Sequence, residues 1–190
     1  MTRGPTLPAH RLPHLPTPLD AFNAAPDEEV GALLLHCLCS PRWSRRLADH
    51  RPYPDVASLL AAADEAAYDL GRADLTEALA GESLPELPED TYSAAHTALT
   101  AAHAAYEAKF GHVFVIHLDG TPPEERLDRV LEGIYSRLKN DPEDERVMSA
   151  EQLRRLAHGR LRDLLRGAGP CPSAAPPGGT NNPHGAAPGR

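Results

Sequence analysis

Arg160 carries the sharpest chemical signal in the chain. In the stretch "LRRLAHGRLRDLL", residues 153–165, Leu153, Leu156, Ala157, Leu161 and Leu164 form one apolar stripe at about 100° per residue. Arg154, Arg155, Arg162 and Arg166 fall on the opposite side, where water takes them. Arg160 instead falls within about 40° of Leu153, Leu156 and Leu164. Burying an unpaired guanidinium costs several kcal/mol. Three outcomes reconcile it with a stable fold. The side chain snorkels to the rim, meets a carboxylate inside the protein, or lines a pocket for an anionic ligand.

The histidines are the second group with chemical potential. His96 and His103 are seven residues apart on one predicted helix and share a face. Such a pair suits acid–base work or half of a metal site. Zinc needs at least a third ligand, and the spacing marks none, so no metal is expected. His112 and His117 fall in a short non-helical stretch with opposite parity. Cys37 and Cys39 are separated by one residue, which suits neither a zinc knuckle nor a redox pair. They read as buried thiols on a helix, and Trp43 reads as core. No glycine-rich phosphate loop or nucleophile elbow is present.

The elements that must position these residues read as helices. Hydrophobic residues make up 41% of the 190 and aromatics only 5%, which predicts a core of Leu, Ala and Val. The net charge of −8 argues against a nucleic-acid binder, since no basic run exceeds Arg45-Arg46 or Arg154-Arg155. The most apolar run, "VGALLLHCLC", is too short to span a bilayer. The proline-rich start offers no secretory h-region, so the expected setting is a reducing cytoplasm.

Residues 1–19 and 167–190 are Pro- and Gly-rich and are expected to be disordered. Between them, 20–166 is expected to form one domain. A helix starts at Pro26-Asp27, a second at Ser40-Pro41, and a third follows Pro52 and Pro54 and ends at Gly71. "ADLTEALA" is a fourth, stopped by Gly81, and a proline-punctuated link leads to the alanine-rich "TYSAAHTALTAAHAAYEAKF", closed by Gly111. "HVFVIHL" is too short and β-branched for a helix and reads as an extended connector. Thr121, Pro122 and Glu124 read as a capping box for the next helix, and Asp141-Pro142 opens the last one. The class is all-α: a single irregular bundle of seven or eight helices.

Several segments, in order over 20–166, resemble the 2-oxo-4-hydroxy-4-carboxy-5-ureidoimidazoline (OHCU) decarboxylases. They are "CLCSPRWSRRLADHRPY", "AAYEAKFGHVFVIHLDG", and "RLKNDPEDER" with the helix that follows it. The resemblance implies an all-α bundle without cofactor that acts on a small anionic ureide in urate degradation, with a homodimer as one assembly. It implies an anion-holding role for Arg160 and substrate-ring contacts from the main chain of Phe114, Val115 and Ile116. The chain departs from the family elsewhere. Gly81-Glu82 stands where the family has His-Pro, and Ser93-Ala94-Ala95-His96-Thr97 stands where it has Ser-x-x-Glu-Gln. Glu82 or His96 then becomes the candidate acid, with Ser93 and Thr97 as binding residues. Three functions fit: a decarboxylase with a rearranged acid, a diverged enzyme for another small anion, and a non-catalytic helical binding module.

Overall fold

The structure is a computed structural model that describes residues 17–84 and 93–167, apart from the side chains of 93–96. Eight helices and no strand occur among the described residues: α1 (Pro18–Ala24), α2 (Asp27–Cys37), α3 (Pro41–Asp49), α4 (Val56–Tyr68), α5 (Arg72–Ala80), α6 (Ser93–Phe110), α7 (Pro123–Arg137) and α8 (Pro142–Leu165). None is long and apolar enough to cross a membrane. The two terminal segments, 1–16 and 168–190, and most of the proline-punctuated link, 85–92, lie outside the described residues.

Helix α8 is the organising element, 24 residues and about 36 Å long. It packs chiefly on α4 and also meets α1, α2 and α5, while α6 packs on α7. Two cores result. The larger holds Val30, Leu34, Trp43, Leu47, Leu59, Leu153 and Leu161. The smaller holds Leu99, Tyr106, Phe114, Val130 and Ile134. The extended connector after Gly111 joins them. Successive side chains of an extended chain point to opposite sides, and here Phe114 enters the smaller core while Val115 enters the larger.

Local sequence chemistry explains most helix ends, with four departures from expectation. Helix α1 precedes the first predicted helix and opens at Pro18, inside the stretch expected to lack order. Its start is a capping box: Thr17 Oγ1 accepts from the Asp20 N–H, and the Asp20 carboxylate accepts from the Thr17 N–H. Gly71 does not end the third predicted helix. That helix, α4, stops at Tyr68, and Gly71, with φ −76°, is the N-cap of α5, where its N–H donates to Asp74. The capping box expected at Thr121 does not form; α7 begins at Pro123 with Pro122 extended ahead of it and no side-chain cap. A residue before proline is pushed out of the helical region, so Pro123 holds Pro122 outside the helix. Finally, only Cys37 lies on a helix; Cys39 falls beyond the end of α2 and is half-buried.

A buried polar network locks the connector to its helices. Arg137 near the end of α7 donates to Glu145 (Nε, 2.9 Å), to the Val115 carbonyl (2.6 Å) and to Ser149 (3.0 Å). Tyr106 of α6 donates to the same Glu145 oxygen, and Asn140 supplies a further donor at 2.8 Å. Burial works to raise the Glu145 carboxyl, but the hydrogen bonds from Arg137 and Tyr106 outweigh it and hold it below the usual range. The guanidinium also lies over the Phe114 ring, 4.5 Å from its centroid. Gly133 on α7 admits that ring, since a Cβ there would lie 2.9 Å from the Phe114 edge.

Candidate active site at Arg160 and Glu82

Arg160 does turn inward, and it meets a carboxylate. Its two terminal nitrogens donate to the two oxygens of Glu82 at 2.7 and 2.8 Å, the fork-to-fork geometry that guanidinium and carboxylate favour. One of those nitrogens also donates to the Cys37 carbonyl at 3.1 Å, near the C-terminal end of α2. The Glu82 side chain is 5% exposed and that of Arg160 is 27% exposed. The pair therefore sits at the mouth of the larger core, with the acid beneath and the arginine reaching from the rim.

Each partner is placed by local chain geometry. The apolar stripe of α8 fixes Arg160 on the core side. Glu82 is placed by the end of α5, where Gly81 and Glu82 donate their N–H groups to Ala78 and Leu79 in a closing turn. Gly81 has no room for a side chain, since a Cβ would lie 2.4 Å from the Cβ and 2.8 Å from the Sγ of Cys39. This close approach lets the next residue reach α8. The Cys37 thiol is pushed up to about 11 by burial, with Arg160 opposing the rise. It is an inert neighbour.

The other sequence-predicted residues fall elsewhere. Phe114 and Val115 are fully buried and Ile116 is half-buried, all on the connector. The Val115 carbonyl is engaged by Arg137. Thr97 is exposed on α6, and the side chains of Ser93 and His96 lie outside the described residues. The structure thus brings Arg160 and Glu82 together and places Thr97 on a helix that packs against α7.

One group escaped the sequence reading. Arg137 and Glu145 are both buried, and each falls in phase with an apolar stripe, as Arg160 does. The rule that singled out Arg160 finds Arg137, three residues after Ile134. His103, singled out from the sequence with His96, is 4% exposed against Phe114, and neither ring nitrogen has a hydrogen-bond partner.

Among the described residues the fold is an all-helical bundle, and its half-buried arginine fork is occupied by a carboxylate from the turn after α5. The family model for OHCU decarboxylase matches residues 23–96 and 86–162, and the chain belongs to that family. A solved structure of (S)-allantoin synthase is similar, with a TM-score of 0.62 and 18% identity over 77% of this chain and 53% of that one. So is an OHCU decarboxylase crystallised in the presence of (S)-allantoin, with a TM-score of 0.60 and 20% identity over 75% of this chain and 99% of that one. The chain therefore spans about half the length of the first and nearly all of the second. At such identity these likenesses establish the shared fold. No curated protein matches the chain.

Proposed function

We propose that this chain decarboxylates a small anionic ureide, the compound for which its family is named, and releases (S)-allantoin. The observation that carries the proposal is the Arg160–Glu82 fork. Two guanidinium nitrogens aimed at two carboxylate oxygens are the donors that a substrate carboxylate needs. In the free protein Glu82 takes that place. An incoming carboxylate competes for the fork and displaces Glu82 from it. The displaced Glu82 then relays a proton from solvent to the reacting carbon.

The reaction follows from that exchange. The bond from the ring carbon to the carboxylate breaks, CO₂ departs, and the electron pair stays on the ring. Arg160 holds the anionic oxygens in place. Glu82 delivers the proton from one side, which accounts for a single hand of product. Main-chain groups of Phe114, Val115 and Ile116 are the proposed edge contacts to the ring, and Thr97 of α6 is a proposed polar contact; the family resemblance supports both assignments. No cofactor is assigned to the reaction. The proposed setting is cytoplasmic, with a homodimer as the assembly.

The test is freshly prepared substrate mixed with purified protein, with allantoin followed by its optical rotation. A rate above the spontaneous one, lost in Arg160→Ala, is the expected result. A rate equal to the spontaneous one, with saturable allantoin binding, would leave the chain a binding scaffold instead.

A further inference from the structure

We propose that a second site, on the face of α8 turned away from Arg160, binds a compact oxyanion of the phosphate type. A cavity of about 210 Å³ opens there, lined by Asp64 of α4, His117 of the connector, and Arg154, Arg155, His158, Gly159 and Arg162 of α8. Residues 154, 158 and 162 recur at helical spacing and lie about 120–160° from Arg160. The two sites share a helix but not a face.

Gly159 shapes the floor of the cavity. A Cβ there would come within 3.0 Å of an Asp119 oxygen and 3.8 Å of His117 Nε2. Glycine lets the end of the connector close down on α8 and bring His117 to the same cavity as His158.

The donors and acceptors around the cavity do not balance. Asp64 accepts from Arg154 at 2.9 Å and is bonded by His158 Nδ1 at 3.2 Å. Asp119 accepts from Arg162 at 3.0 Å and lies 3.2 Å from His117 Nε2. Glu151 accepts from Arg154 and Arg155, and the hydrogen bond from Arg154 leads in holding its carboxyl down to about 2. Each of the three carboxylates thus serves two basic groups. Arg155 is held through Nε alone, which leaves its two terminal amino groups for a ligand. Arg162 Nε is buried with no hydrogen-bond partner and lies 3.8 Å from an Asp163 oxygen. Each imidazole keeps one nitrogen clear of its aspartate.

A surplus of N–H donors around a small cavity selects an acceptor-rich guest. Guanidinium forks match the edges of phosphate. The cavity is smaller than the usual pocket for a drug-sized ligand, about 300–1,000 Å³. It suits inorganic phosphate or the phosphate end of a small ester.

The test uses the full chain and inorganic phosphate, titrated by calorimetry at fixed ionic strength with chloride as the balancing anion. Saturable one-to-one binding is expected, weakened at least tenfold in Arg155→Ala and unchanged in Arg160→Ala. In the unmodified protein, the ring signals of His117 and His158 should move together on titration in NMR spectra, while those of exposed His36 and His50 stay fixed. This second readout needs no variant to fold. Absence of saturable binding, loss of binding in Arg160→Ala, or still signals from His117 and His158 would overturn the proposal. A small phosphate ester that binds more tightly than free phosphate would identify the ester as the source of the anion. Because the readouts are binding and ring shifts, a chain inactive on the ureide leaves this test intact.

Discussion

Glu82 and Arg160, 78 residues apart in sequence, join both carboxylate oxygens to both terminal guanidinium nitrogens at the mouth of the larger core. The acid is the more deeply buried of the two. That asymmetry decides what each truncation does. Removing the arginine strands a desolvated charge, while removing the acid leaves an arginine that still reaches water.

Arg160→Leu is therefore expected to destabilise the fold by about 2–4 kcal/mol, because Glu82 keeps its burial and loses its partner. Glu82→Leu should cost less. The double variant should recover most of the loss, since two apolar side chains remove both desolvation costs. Chemical denaturation of the four proteins measures the coupling. Additive losses would mean that the pair contributes nothing.

Arg137→Met should be more damaging, about 3–5 kcal/mol, because Glu145 is fully buried and would be left without its guanidinium. Tyr106→Phe removes one donor to the same carboxylate and should cost about 1 kcal/mol. Urea midpoints of the two variants check the order. A Tyr106→Phe protein as unstable as Arg137→Met would shift the weight of the network from charge to the tyrosine.

Stability should fall with acid in two windows. Burial holds the His103 imidazole below its ordinary value of 6.5, against a smaller opposing effect from Glu107. An unfolded chain then takes up the proton first, so stability is full above about pH 6.5 and drops as pH falls toward the folded value. Glu145 is held below its ordinary 4.5, and its contribution drains away only below that pH. Replacing His103 with Leu should erase the upper window and leave the lower one. Melting temperatures from pH 8 to pH 3 separate them. An unchanged upper slope in His103→Leu would assign it to another group.

Gly81→Ala should destabilise by about 1–3 kcal/mol, since the new Cβ meets Cys39 at 2.4 Å. Backbone strain plays no part, because Gly81 has φ −85°. Removing the opposing Cβ with Cys39→Gly should return part of the loss. The double variant's melting temperature, compared with both singles, is the check. A Gly81→Ala protein as stable as the parent would show that the turn after α5 moves freely, and that Glu82 is less firmly placed than its hydrogen bonds suggest.

Much of the helix layout was legible in the residues. Prolines after Ser40 and Asp141, the alanine-rich run before Gly111, and the β-branched "HVFVIHL" each mark a helix start, a helix body or a break through local backbone chemistry. Helix α1 was legible too, in the Thr17-to-Asp20 capping box, but the surrounding prolines masked it. The misassigned Gly71 and Thr121 mark the limit of such reading. A glycine serves at either end of a helix, and two consecutive prolines override a good cap.

The inward turn of Arg160 was set by the sequence alone, because a 3.6-residue period places every side chain of α8 once the apolar stripe is buried. Which anion it would meet was a different matter. The local sequence admitted snorkelling, an internal carboxylate or a ligand. Only the packing of the α5 turn against Cys39 and α8 delivered Glu82 to the fork. The same holds for the donor-rich cavity on the opposite face, where Asp64 and His117 reach α8 from distant parts of the chain. Helix periodicity is a short-range property of the backbone, whereas the pairing of charges depends on which surfaces come to share a desolvated space.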